Sequence, residues 1–189
     1  VCSVFSLSAR PPSSIAVGTS RLSRSAASSM VSSGTRIGPG GGSAAAVASA
    51  PVSNMTSAYS GIRWGTGLAR QFQYEKSQSR IGGSLWEARD LYIENSPVFF
   101  ADKIQTPMLI LHGDVDDAVP WEQSIELYLA MRRNGKEAVF LQYRDEPHHP
   151  QTYANKLDWA MKMKEWLDHY LKGMPAPEWI SQGIPYTGR

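Results

Sequence analysis

The chain has 189 residues, 42% of them hydrophobic, which is enough for one core-bearing domain of ordinary size. Its 19 basic and 17 acidic residues leave a formal charge of +2, too weak a field to attract nucleic acid or anionic lipid, so no nucleic-acid or membrane partner is expected. The single cysteine, Cys2, excludes an internal disulfide and any multi-cysteine zinc site, and no apolar run approaches the roughly 18 residues that cross a bilayer.

Residues 1–43 consist almost wholly of Ser, Ala, Gly, Arg, Val and Pro, and contain no Asp, Glu or Lys. Ser23-Arg24-Ser25-Ala26-Ala27-Ser28-Ser29 has neither helical nor strand periodicity, and Gly38-Pro39-Gly40-Gly41-Gly42 would break either element. The segment is expected to be a low-complexity unit, mostly disordered or ordered only locally. An organellar transit peptide, a natural linker and a shifted reading frame all fit its composition.

The second unit, residues 44–189, carries regular punctuation. Residues 44–50 are small and apolar and end at Pro51, as a buried strand leading into a loop does. A Gly-rich aromatic stretch around Tyr59, Trp64, Gly65 and Gly67 follows, then helices near 85–93 and 97–103, with Pro107 as a stop. Met108-Leu109-Ile110-Leu111 is a continuous apolar run of the kind found in a parallel strand covered on both faces.

The spacing of Trp121, Ile125, Tyr128 and Leu129 predicts a helix over 121–134, and Gly135 supplies its end signal. Residues 138–143 form another strand. A last helix over 153–171 puts Trp159, Met163, Trp166, Leu167 and Tyr170 on one arc. Strand, helix, strand, helix with short connections implies an α/β architecture with a mostly parallel sheet. Trp64, Trp121 and Trp179 read more readily as packing than as recognition residues. The tail from Pro175 to Arg189 is apolar enough to pack on this chain or a neighbour.

Reactive groups in open α/β sheets collect beyond the carboxyl ends of strands. The loop after 108–111 holds His112, Asp114, Asp116 and Asp117, and the loop after 138–143 holds Asp145, Glu146, His148 and His149. An acid after one strand and a histidine after the next lets a carboxylate orient an imidazole for proton transfer. By spacing alone, Asp116 reads equally as a capping or solvated carboxylate, and His148 as an exposed loop histidine. Gly38 to Gly42 lacks the Lys-Ser/Thr ending of a phosphate loop, and His112 and His148 lack a close His-x-x-x-His spacing, so neither a cofactor nor a metal is expected.

His112-Gly113-Asp114-Val115-Asp116-Asp117-Ala118-Val119-Pro120 resembles the acid loop of the prolyl oligopeptidase family, H-G-x-x-D-x-x-V-P, and Tyr143-Arg144-Asp145-Glu146-Pro147-His148 resembles its histidine loop, Y-x-D-E-x-H. Ser96-Pro97 and Ala50-Pro51-Val52-Ser53-Asn54 add to the likeness, which covers about residues 44–189. The resemblance implies the C-terminal part of an α/β-hydrolase catalytic domain, with Asp116 as the catalytic aspartate that orients the histidine, His148 as the general base, and a peptide as substrate. Related esterases and dienelactone-type hydrolases share parts of both loops. A non-catalytic hydrolase-like binding module is the reading from another class.

The family's nucleophile sits in a G-x-S-x-G turn, whose strained geometry exposes the serine oxygen. The chain contains no such motif: Gly41-Gly42-Ser43-Ala44-Ala45 lacks the second glycine, and Ser25 and Ser28, at the expected distance, lack both. The chain by itself is therefore expected to be inactive, and a shifted frame before residue 44 becomes the favoured account of the first unit. Compartment and oligomeric state are not encoded in any of these features.

Overall fold

The computed structural model describes residues 2–5, as backbone, and 45–184. Four strands form one sheet: β1 (Cys2–Phe5), β2 (Ala46–Ser49), β5 (Met108–Gly113) and β6 (Ala138–Tyr143), in the order β1-β6-β5-β2. β2, β5 and β6 run parallel, with Val47 opposite Leu109 and Leu109 opposite Val139. β1 pairs antiparallel with β6, Cys2 facing Tyr143. The rest of the low-complexity unit, including Ser25, Ser28, Ser43 and the glycine run, lies outside the described residues.

Alternation along the strands sorts the core into two layers. Leu109 and Leu111 point to one face, where Leu141, Tyr143 and Val47 meet Trp159 and Trp166 of α5 (Tyr153–Lys172). Ile110 points to the other, where Phe140 meets Leu127, Tyr128 and Met131 of α4 (Glu122–Arg133). The apolar run thus lies between two helical layers, as its unbroken hydrophobicity predicts. Leu109, Ile110 and Leu111 are fully buried, each contributing roughly 1.5–3 kcal/mol relative to exposure.

The α4 helix ends where the sequence places its stop: Asn134 is the C-cap and Gly135 takes φ +65°, a left-handed turn that costs glycine little. The apolar arc of α5 packs on the sheet as predicted. The described part of the tail, residues 175–184, covers the same layer of this chain: α6 (Glu178–Ser181) buries Trp179 beside Trp166, and the Trp179 indole N–H donates to Glu165 Oε2 at 2.5 Å. Trp121 packs partly buried against the α4 layer, and Trp64 is exposed.

The long crossover from β2 to β5 holds more structure than its composition predicts: α1 (Met55–Ala58), a hairpin of β3 (Ile62–Arg63) and β4 (Leu68–Ala69), α2 (Gln71–Glu75), α3 (Arg89–Glu94) and a 3-10 helix over Pro97–Lys103. Its core is aromatic rather than periodic, with Tyr59 edge-on to Tyr92 at 5.4 Å and Tyr74 buried beside them. The predicted helix over 85–93 starts later, at Arg89. Ser84 and Glu87 close a turn first, with the Ser84 N–H donating to Glu87 Oε2 at 2.9 Å. Met55 N–H donates to Ser96 Oγ at 2.8 Å and Val98 N–H to Ser53 O at 3.1 Å, so the start of α1 is bonded to the start of the 3-10 helix.

Candidate active site

Adjacent parallel strands β5 and β6 deliver their following loops to one end of the sheet. Between those loops, His148 Nδ1 lies 2.8 Å from Asp116 Oδ2. A carboxylate accepts only, so His148 donates through Nδ1–H, and its other nitrogen, Nε2, keeps the lone pair that general-base chemistry uses. Among the described residues no hydroxyl bonds that nitrogen. The His148 side chain is a third exposed, whereas the Asp116 side chain is fully buried.

Asp116 is held from four sides. Its Oδ1 accepts the backbone N–H groups of Ala118 at 2.7 Å and Val119 at 2.8 Å, and its Oδ2 also accepts from His112 Nε2 at 2.9 Å. Burial pushes the carboxyl pKa up, but hydrogen bonds from His112, His148, Val119 and Ala118 outweigh it and hold the group well below the usual carboxylate range. It stays ionised, as a partner for an imidazolium requires.

His112 belongs to the strand rather than to the loop expected from sequence, because β5 continues through His112 and Gly113 opposite Gln142 and Tyr143. Its Nε2 faces two acceptors, Asp116 Oδ2 and the Val119 carbonyl at 3.1 Å, so that nitrogen carries the proton and Nδ1 accepts from the Ser124 hydroxyl at 2.6 Å. His112 and Ser124 are both completely buried. The i,i+4 spacing from His112 to Asp116 was visible in the sequence, whereas nothing there marked Ser124.

Two further loop acids hold the loops in place, Asp114 between the loops and Glu146 within its own. Asp114 accepts from Asp145 N–H at 2.7 Å and from Gln142 Nε2 at 2.8 Å. Asp145 adopts φ +57°, a left-handed position that aspartate tolerates better than most residues. Glu146 is buried and accepts from Gln151 N–H at 2.5 Å, Thr152 N–H at 3.2 Å and Asn155 Nδ2 at 2.6 Å, which anchors the start of α5. Gly113 lets the loops touch: a Cβ there would sit 2.1 Å from the Glu146 carbonyl oxygen. Asp117 and His149 are exposed, and the His149 ring lies 4.7 Å from that of His148. Among the described residues no cluster of three or more His, Cys, Asp or Glu side chains forms a metal site.

His148 opens onto a cleft of about 930 Å³, walled by Val52, Met55, Ile81 and Val119 and by Arg63, Arg70 and Arg80. The arginines come from the crossover, whose sequence gave no sign of a shared wall.

The sequence pattern of the prolyl oligopeptidase family matches residues 44–174. Among curated proteins, the chain is 30% identical over 93 residues to the uncharacterized peptidase YuxL of Bacillus subtilis, covering 46% of this chain and 14% of that protein. It is 32% identical over 95 residues to dipeptidyl-peptidase 5 of Aspergillus oryzae, covering 49% of this chain and 13% of that one. The chain thus spans about one seventh of the length of these relatives. Among solved structures, a Mycobacterium tuberculosis puromycin-hydrolyzing peptidase superposes with TM-score 0.59 at 23% identity over 75% of this chain and 19% of that one. Porphyromonas gingivalis dipeptidyl peptidase 4 superposes with TM-score 0.56 at 18% identity over 67% and 16%. The shared fold is that of α/β-hydrolase peptidases, of which this chain covers only a part.

Proposed function

The chain belongs to the prolyl oligopeptidase family, and from that premise we propose that it is the C-terminal part of a serine peptidase catalytic domain in which Asp116 and His148 complete a triad with an upstream serine. The observation that carries the reading is the 2.8 Å bond from His148 Nδ1 to a carboxylate held ionised by three further donors, at the mouth of a cleft.

In this reading His148 Nε2 takes the serine proton as the serine oxygen attacks the peptide carbonyl. The same nitrogen then gives that proton to the leaving amine. An acyl-enzyme forms, and water, activated by His148, hydrolyses it. Asp116 fixes the tautomer and stabilises the imidazolium at each stage. The chain by itself carries no G-x-S-x-G turn, so it is inactive alone and takes no label from a fluorophosphonate probe. Labelling of Ser25, Ser28 or Ser43 would overturn that part.

A chimera supplies the direct test. The upstream half of a family member's catalytic domain, including its nucleophile turn, is joined to residues 44–189, and hydrolysis of peptide anilides is measured. Activity is expected, and His148→Ala or Asp116→Asn should lower kcat by about 10⁴-fold. A chimera that cleaves equally well with His148→Ala would remove His148 from the chemistry and leave the alternative, a hydrolase-like binding module. A simple ester run in parallel separates peptidase from esterase.

A further inference from the structure

Arg70 is buried, 2% exposed, yet both of its hydrogen bonds go to neutral acceptors: Nε to the Tyr74 hydroxyl at 3.0 Å, and Nη1 to the Ala118 carbonyl. A buried cation without a countercharge is costly, and folded proteins pair such groups. No described carboxylate lies within salt-bridge distance of Arg70, Arg63 or Arg80. The segments outside the described residues hold no Asp or Glu side chain either, since the first acid of the chain is Glu75 and none follows Glu178.

Arg63, Arg70 and Arg80 line the cleft that His148 also lines, and no Asp or Glu lines it. Arg63 is half-buried at the end of β3. Arg80 takes φ +52°, a conformation disfavoured for a long side chain, and bonds through Nε to the Ser77 carbonyl at 3.1 Å. Arg70 bonds the carbonyl of Ala118, two residues beyond Asp116, which puts one charge close to the reacting end of the cleft.

We infer that this cleft binds a peptide carboxylate within a residue or two of the bond His148 serves, so that the substrates are acidic peptides. The inference rests on the proposed peptidase reading for the word substrate, but not for the binding. A guanidinium fork and a carboxylate match in geometry and form charge-assisted bonds stronger than neutral ones. The apolar wall from Val52, Met55, Ile81 and Val119 receives the neighbouring side chains. The carboxylate has two possible sources, an Asp or Glu side chain or the peptide's own C-terminus, and the test separates them.

Isothermal titration calorimetry on the full chain measures the affinity of three N-acetylated pentapeptides: one with central Glu and an amidated end, one with central Gln and an amidated end, and one with central Gln and a free C-terminal carboxylate. At least one carboxylate-bearing peptide is expected to bind about tenfold or more tightly than the doubly neutral one. The advantage should shrink as NaCl rises from about 0.05 M to about 0.5 M. Arg70→Lys, which keeps the charge and loses the fork, should reduce the preference.

Should that buried variant fail to fold, R63Q/R80Q, at two more accessible positions, should remove most of the preference with an unchanged unfolding midpoint. Equal affinity for all three peptides, no measurable binding of any, or a preference untouched in R63Q/R80Q would each overturn the inference. An inactive chimera with the preference intact would refute the peptidase reading alone, and an active chimera without it would refute the inference alone.

Discussion

His112 donates through Nε2 to Asp116 Oδ2 at 2.9 Å, so the carboxylate that holds His148 is itself held from the strand beneath it. The H-G-x-x-D spacing acquires a physical meaning from this contact. The histidine ends β5, the glycine lets the neighbouring loop pass, and a tight turn returns the aspartate over the imidazole four residues earlier.

Replacing His112 by Phe keeps the volume and removes both polar atoms. The Ser124 hydroxyl and the Val119 carbonyl then lose a partner, and the buried Asp116 loses one of four donors. The expected cost is about 1–3 kcal/mol, read as a lower midpoint in urea. Ser124→Ala, which breaks only the outer bond, should cost less, about 0.5–1.5 kcal/mol. Equal midpoints for H112F and the parent chain would show that the strand-to-loop bond contributes nothing.

Gly113 is the point of closest approach between the two loops. A Cβ would meet the Glu146 carbonyl oxygen at 2.1 Å and the Pro147 carbonyl oxygen at 2.6 Å, and both are backbone atoms that cannot swing aside. Gly113→Ala should therefore destabilise the fold by about 3 kcal/mol or more. It should also part Asp116 from His148, so that in the active chimera kcat falls more than the affinity for substrate does. A G113A protein with the parent midpoint and parent kcat would contradict the packing described above.

The acid limb of stability follows from Asp116 and Glu146. For Glu146, burial raises the pKa, but bonds from Gln151, Asn155 and Thr152 outweigh it, so its folded value is depressed, as is that of Asp116. A depressed folded pKa means that the unfolded chain binds more protons. The stability these groups contribute is thus present above the ordinary carboxylate value, about pH 4, and is lost as pH falls through the depressed one. The urea midpoint should drop steeply below about pH 4. Glu146→Gln should lower the midpoint at pH 7, and the gap to the parent chain should narrow as the solution is acidified. A gap that stays constant from pH 7 to about pH 3 would show that Glu146 is not ionised in the fold.

The sequence alone determined the elements whose signal is local. The unbroken apolar run at Met108 to Leu111, the 3-4 spacing of Ile125 and Tyr128 and the stop at Gly135 are set by chain geometry and side-chain periodicity, and the structure keeps them. The two loops were legible for the same reason, since the residues that cap and turn a strand end are neighbours in the chain. Only the tertiary structure decided how these pieces meet. It set Asp114 against the Asp145 N–H across the two loops, and brought Arg63, Arg70 and Arg80 from an aperiodic crossover to the cleft that His148 also lines. Pairings of that kind depend on the packing of segments tens of residues apart, and no periodicity along the chain records which distant carbonyl, hydroxyl or charge a buried side chain will meet.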